Sequence, residues 1–533
     1  MKRSESKTNM EKHDVVIIGG GHNGLIVAAY LAKAKLDVCV VELQDMVGGC
    51  VATRELTLPG FKHDVAGAIH MMIQANPLLH QDELGLKSKY GLKYVSPDPP
   101  GAIVFSDDRA LVIYKDINRM YESIKQFSAK DADAYLKFCQ YLKKTMAPVG
   151  VGMFAAPPRF GAMMSFLDSS EEGREYIKII LSSVQDIAEE WFESKEMRAA
   201  FGRWASEEMI GPREKGTGLY ASAWPLFHTW GLTMPIGGSG AFSEALAACI
   251  RDNGGTIKLS TAVRRVIVEN GAARGIRIEK GEQIMAQKAV VANVNVKQLF
   301  LQMLTDQELP PGFQERVKRL KASSFAPLVQ AIALNEAPKF KAGGDVNKAP
   351  FVEISPYPEE LLRLYDDYSY GVPNAGMPIM GISTIVDPTR APAGKHTLYL
   401  YHFEPYHLRD GGAAAWDKVK QQVADQVLET ARKHCTNLDD RNILGRWIAS
   451  PLDYERMNPA LIEGDIGHIG SFLPQSFGNR PLPGWGQYKT PIQGLYMCGA
   501  STHPGVGITG GGRATVRVIM EDLGIDFKKI LGK

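Results

Sequence analysis

Gly19, Gly21 and Gly24 stand in the spacing G-x-G-x-x-G, and Glu42 follows near the ~20-residue offset at which an acid takes the hydroxyls of a ribose. The first glycine of such a turn permits the sharp bend, the second lets backbone approach a pyrophosphate, and the third lets helix and strand pack closely. His22 and Asn23 fill the variable positions of the turn, while Gln44, Gly48 and Gly49 follow the acid closely and extend the same site. A second glycine-rich stretch, "TPIQGLYMCGASTHPGVGITGGGRATVRVI", lies near the C-terminus and carries His503, Pro504, Gly505 and Gly507 in a loop that leads into a helix. The positive end of that helix, with its free N–H groups, suits an anion or an electron-rich carbonyl. If the ligand is a flavin, that carbonyl is the N1/C2 edge of the reduced ring. Two glycine-rich helix starts at opposite ends of one chain fit a long dinucleotide better than a mononucleotide. His503 in this loop, His70 after the first unit and His468 in "GDIGHIG" are the histidines placed to line a reaction cavity. For each of them an ordinary core histidine is the competing reading.

The elements that must hold these residues are legible around them. Val15 to Ile18 form a β-branched run bounded by glycine, which reads as a strand buried on both faces. Apolar residues then recur at helical spacing from Leu25 through Ile26, Ala29, Tyr30 and Ala32, and "DVCVVE" supplies a second buried strand. The unit is β-turn-α-β. A short alternating strand pair is expected on the way to Asp64 and His70. The pattern divides the chain into a first nucleotide-binding part over residues 12–80 and a helical lobe over 81–230, in which "APPRFGAMMSFL" reads as a loop. The nucleotide-binding domain resumes over 231–296, a second part of the substrate domain occupies 297–480, and the last nucleotide-binding part covers 481–533. Strands "PLVQAIAL" and "HTLYLYHFE" and the helix "WDKVKQQVADQVLETARKHC" are expected in the fourth of these segments. No internal repeat of fixed period is visible.

Composition narrows the function classes. The 533 residues allow two to four domains or interleaved lobes at ~150 residues each. With 61 basic and 59 acidic residues and no block of like charge, nothing argues for nucleic acid as a partner. The six cysteines show no metal-ligand spacing and read as reduced thiols. The first dozen residues read as a disordered leader without a secretory h-region, so a cytoplasmic location is expected, with peripheral membrane contact or the mitochondrial matrix as alternatives. No run reaches ~18 uninterrupted apolar residues. "GVGMFAAPPRFGAMMSFL" and "GMPIMGIST" suit either core packing or a lipid-like substrate tunnel. No nucleophile elbow, P-loop or zinc spacing competes.

Three stretches together resemble one family. "VVIIGGGHNGLIVAAYLAKAKLDVCVVELQDMVGG", "MPIGGSGAFSEAL" and "GLYMCGASTHPGVGITG" resemble the phytoene desaturase and carotenoid isomerase branch of FAD-dependent oxidoreductases, and within it the group called pyridine nucleotide-disulfide oxidoreductase domain-containing protein 2. The likeness also covers "SPLDYERMNPALIEGDIGHIG" and "RPLPGWGQYKTPIQG", and so nearly the whole chain. It implies an α/β fold, a Rossmann-like FAD domain with an interleaved α+β substrate domain, and noncovalent FAD. By matching positions it implies that Gly19, Gly21 and Gly24 hold the pyrophosphate, Glu42 the adenosine ribose, and Val263 the adenine through backbone. Gly499 and Ala500 would serve the ribityl-phosphate region, with Gly507 and Ile508 against the flavin. Gln44 replaces the basic residue common two positions after the acid, and Ala500 replaces a common aspartate, so the chain departs from the family pattern at two polar contacts. The activity implied is a dehydrogenase or desaturase that passes a hydride from an apolar, isoprenoid or lipid-like substrate to flavin N5, with His503 as the candidate catalytic residue. Dioxygen, a quinone or NAD(P) would accept the electrons. The alternatives are a redox-neutral polyene isomerase, an amine or alcohol oxidase, and a non-catalytic flavoprotein that serves as an interaction module.

Overall fold

The computed structural model describes residues 11–146 and 152–532. The expected leader lies, up to Met10, outside the described residues. Glu11 and Lys12 instead open the first strand, Glu11–Ile18, where they pair with Ile284 and Met285. A parallel neighbour satisfies their backbone groups whatever the side chains are, so the strand outruns its apolar stretch. "GVGMFAAPPRFGAMMSFL" likewise begins outside the described residues.

Strand Glu11–Ile18 is the middle of a seven-stranded sheet. Val38–Val41 lies parallel on one side, with Thr256–Lys258 beyond it, and Gln283–Ala292 lies parallel on the other. The far edge of Gln283–Ala292 takes the hairpin Val263–Glu269/Ala272–Ile278 over its first half and Leu495–Met497 over its second. The central strands are buried on both faces, as their unbroken β-branched runs require. The helices His22–Lys33, Gly240–Asp252 and Gly512–Asp522 cover one side. One sheet is thus closed by segments from both ends and the middle of the chain.

A second seven-stranded sheet runs in the order Ile443–Ala449, Ala326–Leu334, His396–Glu404, Ile379–Gly381, Phe351–Ser355, Gly101–Phe105 and Ala110–Ile113. Its last two strands come from the stretch expected to be helical. "GAIVF" is a five-residue buried run between a proline-rich turn and "SDDR", and it pairs in parallel with Phe351–Ser355. The rest of that stretch is mainly helical, with Ala129–Met146 and Lys195–Trp204 as examples. The expected loop "APPRFGAMMSFL" contains a helix, Phe160–Asp168. Methionine, alanine and leucine are good helix formers and outweigh the two prolines, which end before the helix begins. Among the described residues no helix is long and apolar enough to cross a membrane.

Candidate functional site

The first strand delivers the chain to the glycine turn. Gly19 has φ +91°, and a Cβ there would lie 2.7 Å from the Asn293 carbonyl oxygen, so both conformation and space demand glycine. Gly21 is the N-cap of helix His22–Lys33, and no side chain caps that helix, which leaves its first amides for an external anion. A Cβ on Gly24 would lie 2.5 Å from the Gly19 carbonyl oxygen, so the third glycine permits the close packing the motif requires. Gly48 donates its N–H to the Gly20 carbonyl at 2.8 Å and bridges to Gly21, and Gly49 lies against the Gly21 Cα. The two glycine pairs therefore form one side-chain-free floor.

Glu42 follows strand Val38–Val41 and turns back to the floor. Its carboxylate accepts hydrogen bonds from the N–H of Gly20 at 2.6 Å and of Gln44 at 2.8 Å. Burial raises its pKa, and these amide bonds only partly oppose that. The Gln44 side chain instead donates to the Met457 carbonyl at 2.8 Å, so only its backbone serves the acid.

The second glycine segment meets the first. Asn23 accepts the N–H of Gly512 at 2.9 Å, which ties the starts of helices His22–Lys33 and Gly512–Asp522 together. Asn293, just past strand Gln283–Ala292, donates to the carbonyls of Gly19 at 3.2 Å and Gly21 at 3.3 Å, and a Cβ on Gly499 would lie 2.6 Å from its Oδ1. Asn293 therefore brackets both segments. Arg480 is fully buried and donates to the carbonyls of Gly467, Ile469, Gly470, Gln475 and Ala500, which fixes the start of the loop. Neither residue was singled out from sequence. The only signal available was that Asn293 lies just past a buried strand.

The other expected positions are distributed as follows. Ile508 packs on Gly67, Gly507 is exposed with φ +92°, and Val263 opens the antiparallel hairpin, half-buried. His503 is in the loop, but its Nε2 lies 3.3 Å from the Gly152 carbonyl oxygen, and burial holds its pKa down to about 4. His70 is a satisfied core histidine. Its ring nitrogens lie 2.9 Å from the Tyr94 hydroxyl and 3.1 Å from the Ser239 hydroxyl, and burial depresses its pKa to about 3. His468 keeps partial exposure, with Nδ1 3.1 Å from the Ser501 hydroxyl, and burial holds it at about 3. These imidazoles are neutral at physiological pH.

His22, Cys50, Glu207, Glu208, Tyr401 and His468 lie deep in the protein and still retain accessible surface. Such residues face an internal cavity. Val506, next to Gly507, packs into the same cluster as Phe325, Phe351, Ile379 and Phe403, so the second sheet walls the space that the glycine segments adjoin.

The floor without side chains, the acid at its edge and the joined helix starts fit FAD, a dinucleotide with two phosphates, a ribose and a flavin ring. The family described as flavin containing amine oxidoreductase matches residues 24–410. Pyridine nucleotide-disulfide oxidoreductase domain-containing protein 2 of Rattus norvegicus is 29% identical, over 98% of this chain and 96% of that one. One of the subunits of the limonene dehydrogenase of Castellaniella defragrans is 26% identical, over 98% and 96%. The solved structure of cyclohexylamine oxidase from Brevibacterium oxydans superimposes with a TM-score of 0.60 at 15% identity, covering 96% of this chain and 99% of that one. With the family match running through the greater part of the chain and a cradle shaped for the family's cofactor, this protein belongs to the flavin-containing amine oxidoreductases and is an FAD-dependent oxidoreductase.

Proposed function

We propose that the enzyme removes hydrogen from a largely apolar substrate, isoprenoid or lipid-like, and leaves a C=C bond. The observation that carries this reading is the apolar share of the cavity wall, Ile69, Ile466 and Val506, and the buried apolar cluster that backs it. Met209, Met234, Phe325, Phe351, Met377, Ile379 and Phe403 form one apolar cluster against which Ile69, Ile466 and Val506 pack while keeping part of their surface accessible. Such a lining rewards an apolar body at ~25 cal/mol per Å² removed from water. A relative of similar length is named for the dehydrogenation of limonene, a hydrocarbon, which supports the same substrate class.

FAD, when bound, would supply the acceptor for both electrons and both hydrogens lost, one as a hydride and one as a proton. The chain's own residues do the rest: the Gly19 to Gly24 turn and Gly48 hold phosphate, Glu42 receives ribose, and the second segment lies toward the ring. The test is an anaerobic screen of hydrocarbons, isoprenoids, lipids and amines for bleaching of the yellow holoenzyme, followed by mass analysis. An apolar substrate that bleaches the flavin and returns two hydrogens lighter is the expected result. Bleaching by amines alone would overturn the proposal, and a product of unchanged mass would mark an isomerase.

The cofactor is held noncovalently in this reading. Cys50 and Cys498 are the thiols nearest the cradle, and burial pushes both pKa values up, Cys50 to about 12, which keeps them poor nucleophiles. Denaturation should therefore release FAD into the supernatant. Yellow colour that stays with the precipitated polypeptide would show a covalent link.

A further inference from the structure

Among the polar groups on the cavity wall, the corner around Glu207 is one that an all-hydrocarbon substrate would leave unused. Glu207 lies in a short 3-10 turn, Ala205–Glu208, and keeps a quarter of its side chain accessible, 25%, inside the protein. Its Oε2 accepts the Tyr401 hydroxyl at 3.0 Å. Its Oε1 is itself buried, has no hydrogen-bond partner and lies 3.7 Å from an Arg203 nitrogen, so a ligand would meet the carboxyl through Oε2. Glu353 is 8% exposed, and its Oε2, 3.8 Å from the Arg203 Nε, has no hydrogen-bond partner either. Strand register explains the convergence: Tyr401 and Glu353 both pair with Ile379, from opposite sides, so their side chains project from the same face of the second sheet. That face carries Phe351, Ile379 and Phe403 of the cavity cluster.

Buried carboxylate oxygens without hydrogen-bond partners are costly, and a fold keeps them where something else satisfies them or they serve a purpose. Burial raises the pKa of Glu207, and of Glu353 to about 7, so the corner holds one guanidinium beside two acids that take up a proton more readily than exposed ones. We propose that this corner is a subsite for a hydroxyl group on an otherwise apolar substrate, with Glu207 as its hydrogen-bond partner and Tyr401 orienting the carboxyl. A hydroxyl both donates and accepts, so it fits the acid in either protonation state. An ammonium would meet the Arg203 charge beside the same carboxyl, and an anion would meet two acids. The proposal rests on the reading of an apolar substrate and adds the one polar group it carries.

The probes are decane, n-decanol and decylamine, titrated into the holoenzyme with the visible flavin spectrum and thermal unfolding as readouts. The wild type should bind n-decanol at least about tenfold more tightly than decane, the increment of one hydrogen bond to a charged group. Glu207→Leu, which removes donor and acceptor alike, should bring that ratio close to unity, and Tyr401→Phe should lower it, while decane binding stays as it was, which a purely structural ion cluster would not do. Equal binding of decane and n-decanol by the wild type, or a preference that survives Glu207→Leu, would overturn the subsite and leave the apolar-substrate reading standing. Tighter binding of decylamine than of n-decanol would overturn the hydroxyl assignment. Binding of none of the three would remove the apolar reading and the subsite with it.

Discussion

Gly21→Val should yield a folded protein without FAD, its affinity lowered at least ~100-fold, or about 2.7 kcal/mol. Gly21 has φ −65° and ψ 158°, a conformation that valine adopts freely, so the substitution strains no backbone. What it does is fill the floor. Its Cβ would lie 2.9 Å from the Asn293 Nδ2, the group that holds the Gly19 and Gly21 carbonyls, and its methyls would stand where phosphate must approach backbone. Gly19→Val would be a poorer test, because φ +91° would strain the turn itself. The measurement is the ratio of flavin to protein after purification, with circular dichroism to confirm the fold. Equal occupancy in wild type and variant would refute this position for the phosphate. Glu42→Ala is the graded comparison: it removes hydrogen-bond acceptors but leaves the floor open, so a loss of only about tenfold is expected.

Arg480→Met should cost about 3–5 kcal/mol of stability and abolish FAD retention through the loop rather than through any contact with the cofactor. Six hydrogen bonds from one guanidinium reach five backbone carbonyls, and all but those to Ala500 stay within the Gly467 to Gln475 segment. Methionine fills similar volume but leaves those acceptors unmatched in the interior, each worth ~1–3 kcal/mol of desolvation. Burial lowers the Arg480 pKa to about 10, still far above neutrality, so the charge persists at working pH, opposite the buried Asp465. Arg480→Lys should recover only part of the loss, because an ammonium has three donors and no planar fork. Thermal unfolding of the three proteins, with and without added FAD, distinguishes the cases. An Arg480→Met protein that melts with the wild type and keeps its flavin would show that the loop stands without the guanidinium.

The strand-turn-helix-strand unit was legible because its signals are local: a β-branched run, glycines at fixed spacing and an acid at the end of the next strand, all within some thirty residues. The glycine loop near the C-terminus was legible for the same reason. Asn293 and Arg480 were not, since one amide and one guanidinium have no periodicity, and their value lies in carbonyls that only the folded chain brings within reach. For His70 the core reading, which a lone histidine favours over a chemical role, is what the fold shows: Tyr94 and Ser239 occupy both of its nitrogens. The Gly101–Phe105 strand was passed over because the helices around it dominate the window, although its apolar run is short and bounded as a buried strand should be. Glu207 and Glu353 carried no sequence signal, because two sheet registers and a 3-10 turn are needed to bring them together.

The bond between Asn23 and the Gly512 amide spans 489 residues, and that separation sets an order of events at the ribosome. At ~5–20 residues per second, roughly 25–100 s pass between synthesis of the first glycine turn and synthesis of the helix that closes over it. The strand Gln283–Ala292, which flanks the first strand and carries the chain to Asn293, is also made long after its partner. In that interval the first strand keeps an unpaired, β-branched edge, the kind of surface that chaperones shield. The cofactor's seat is closed only once Gly512 has been made, so FAD loading is expected to follow synthesis of the helix that starts there.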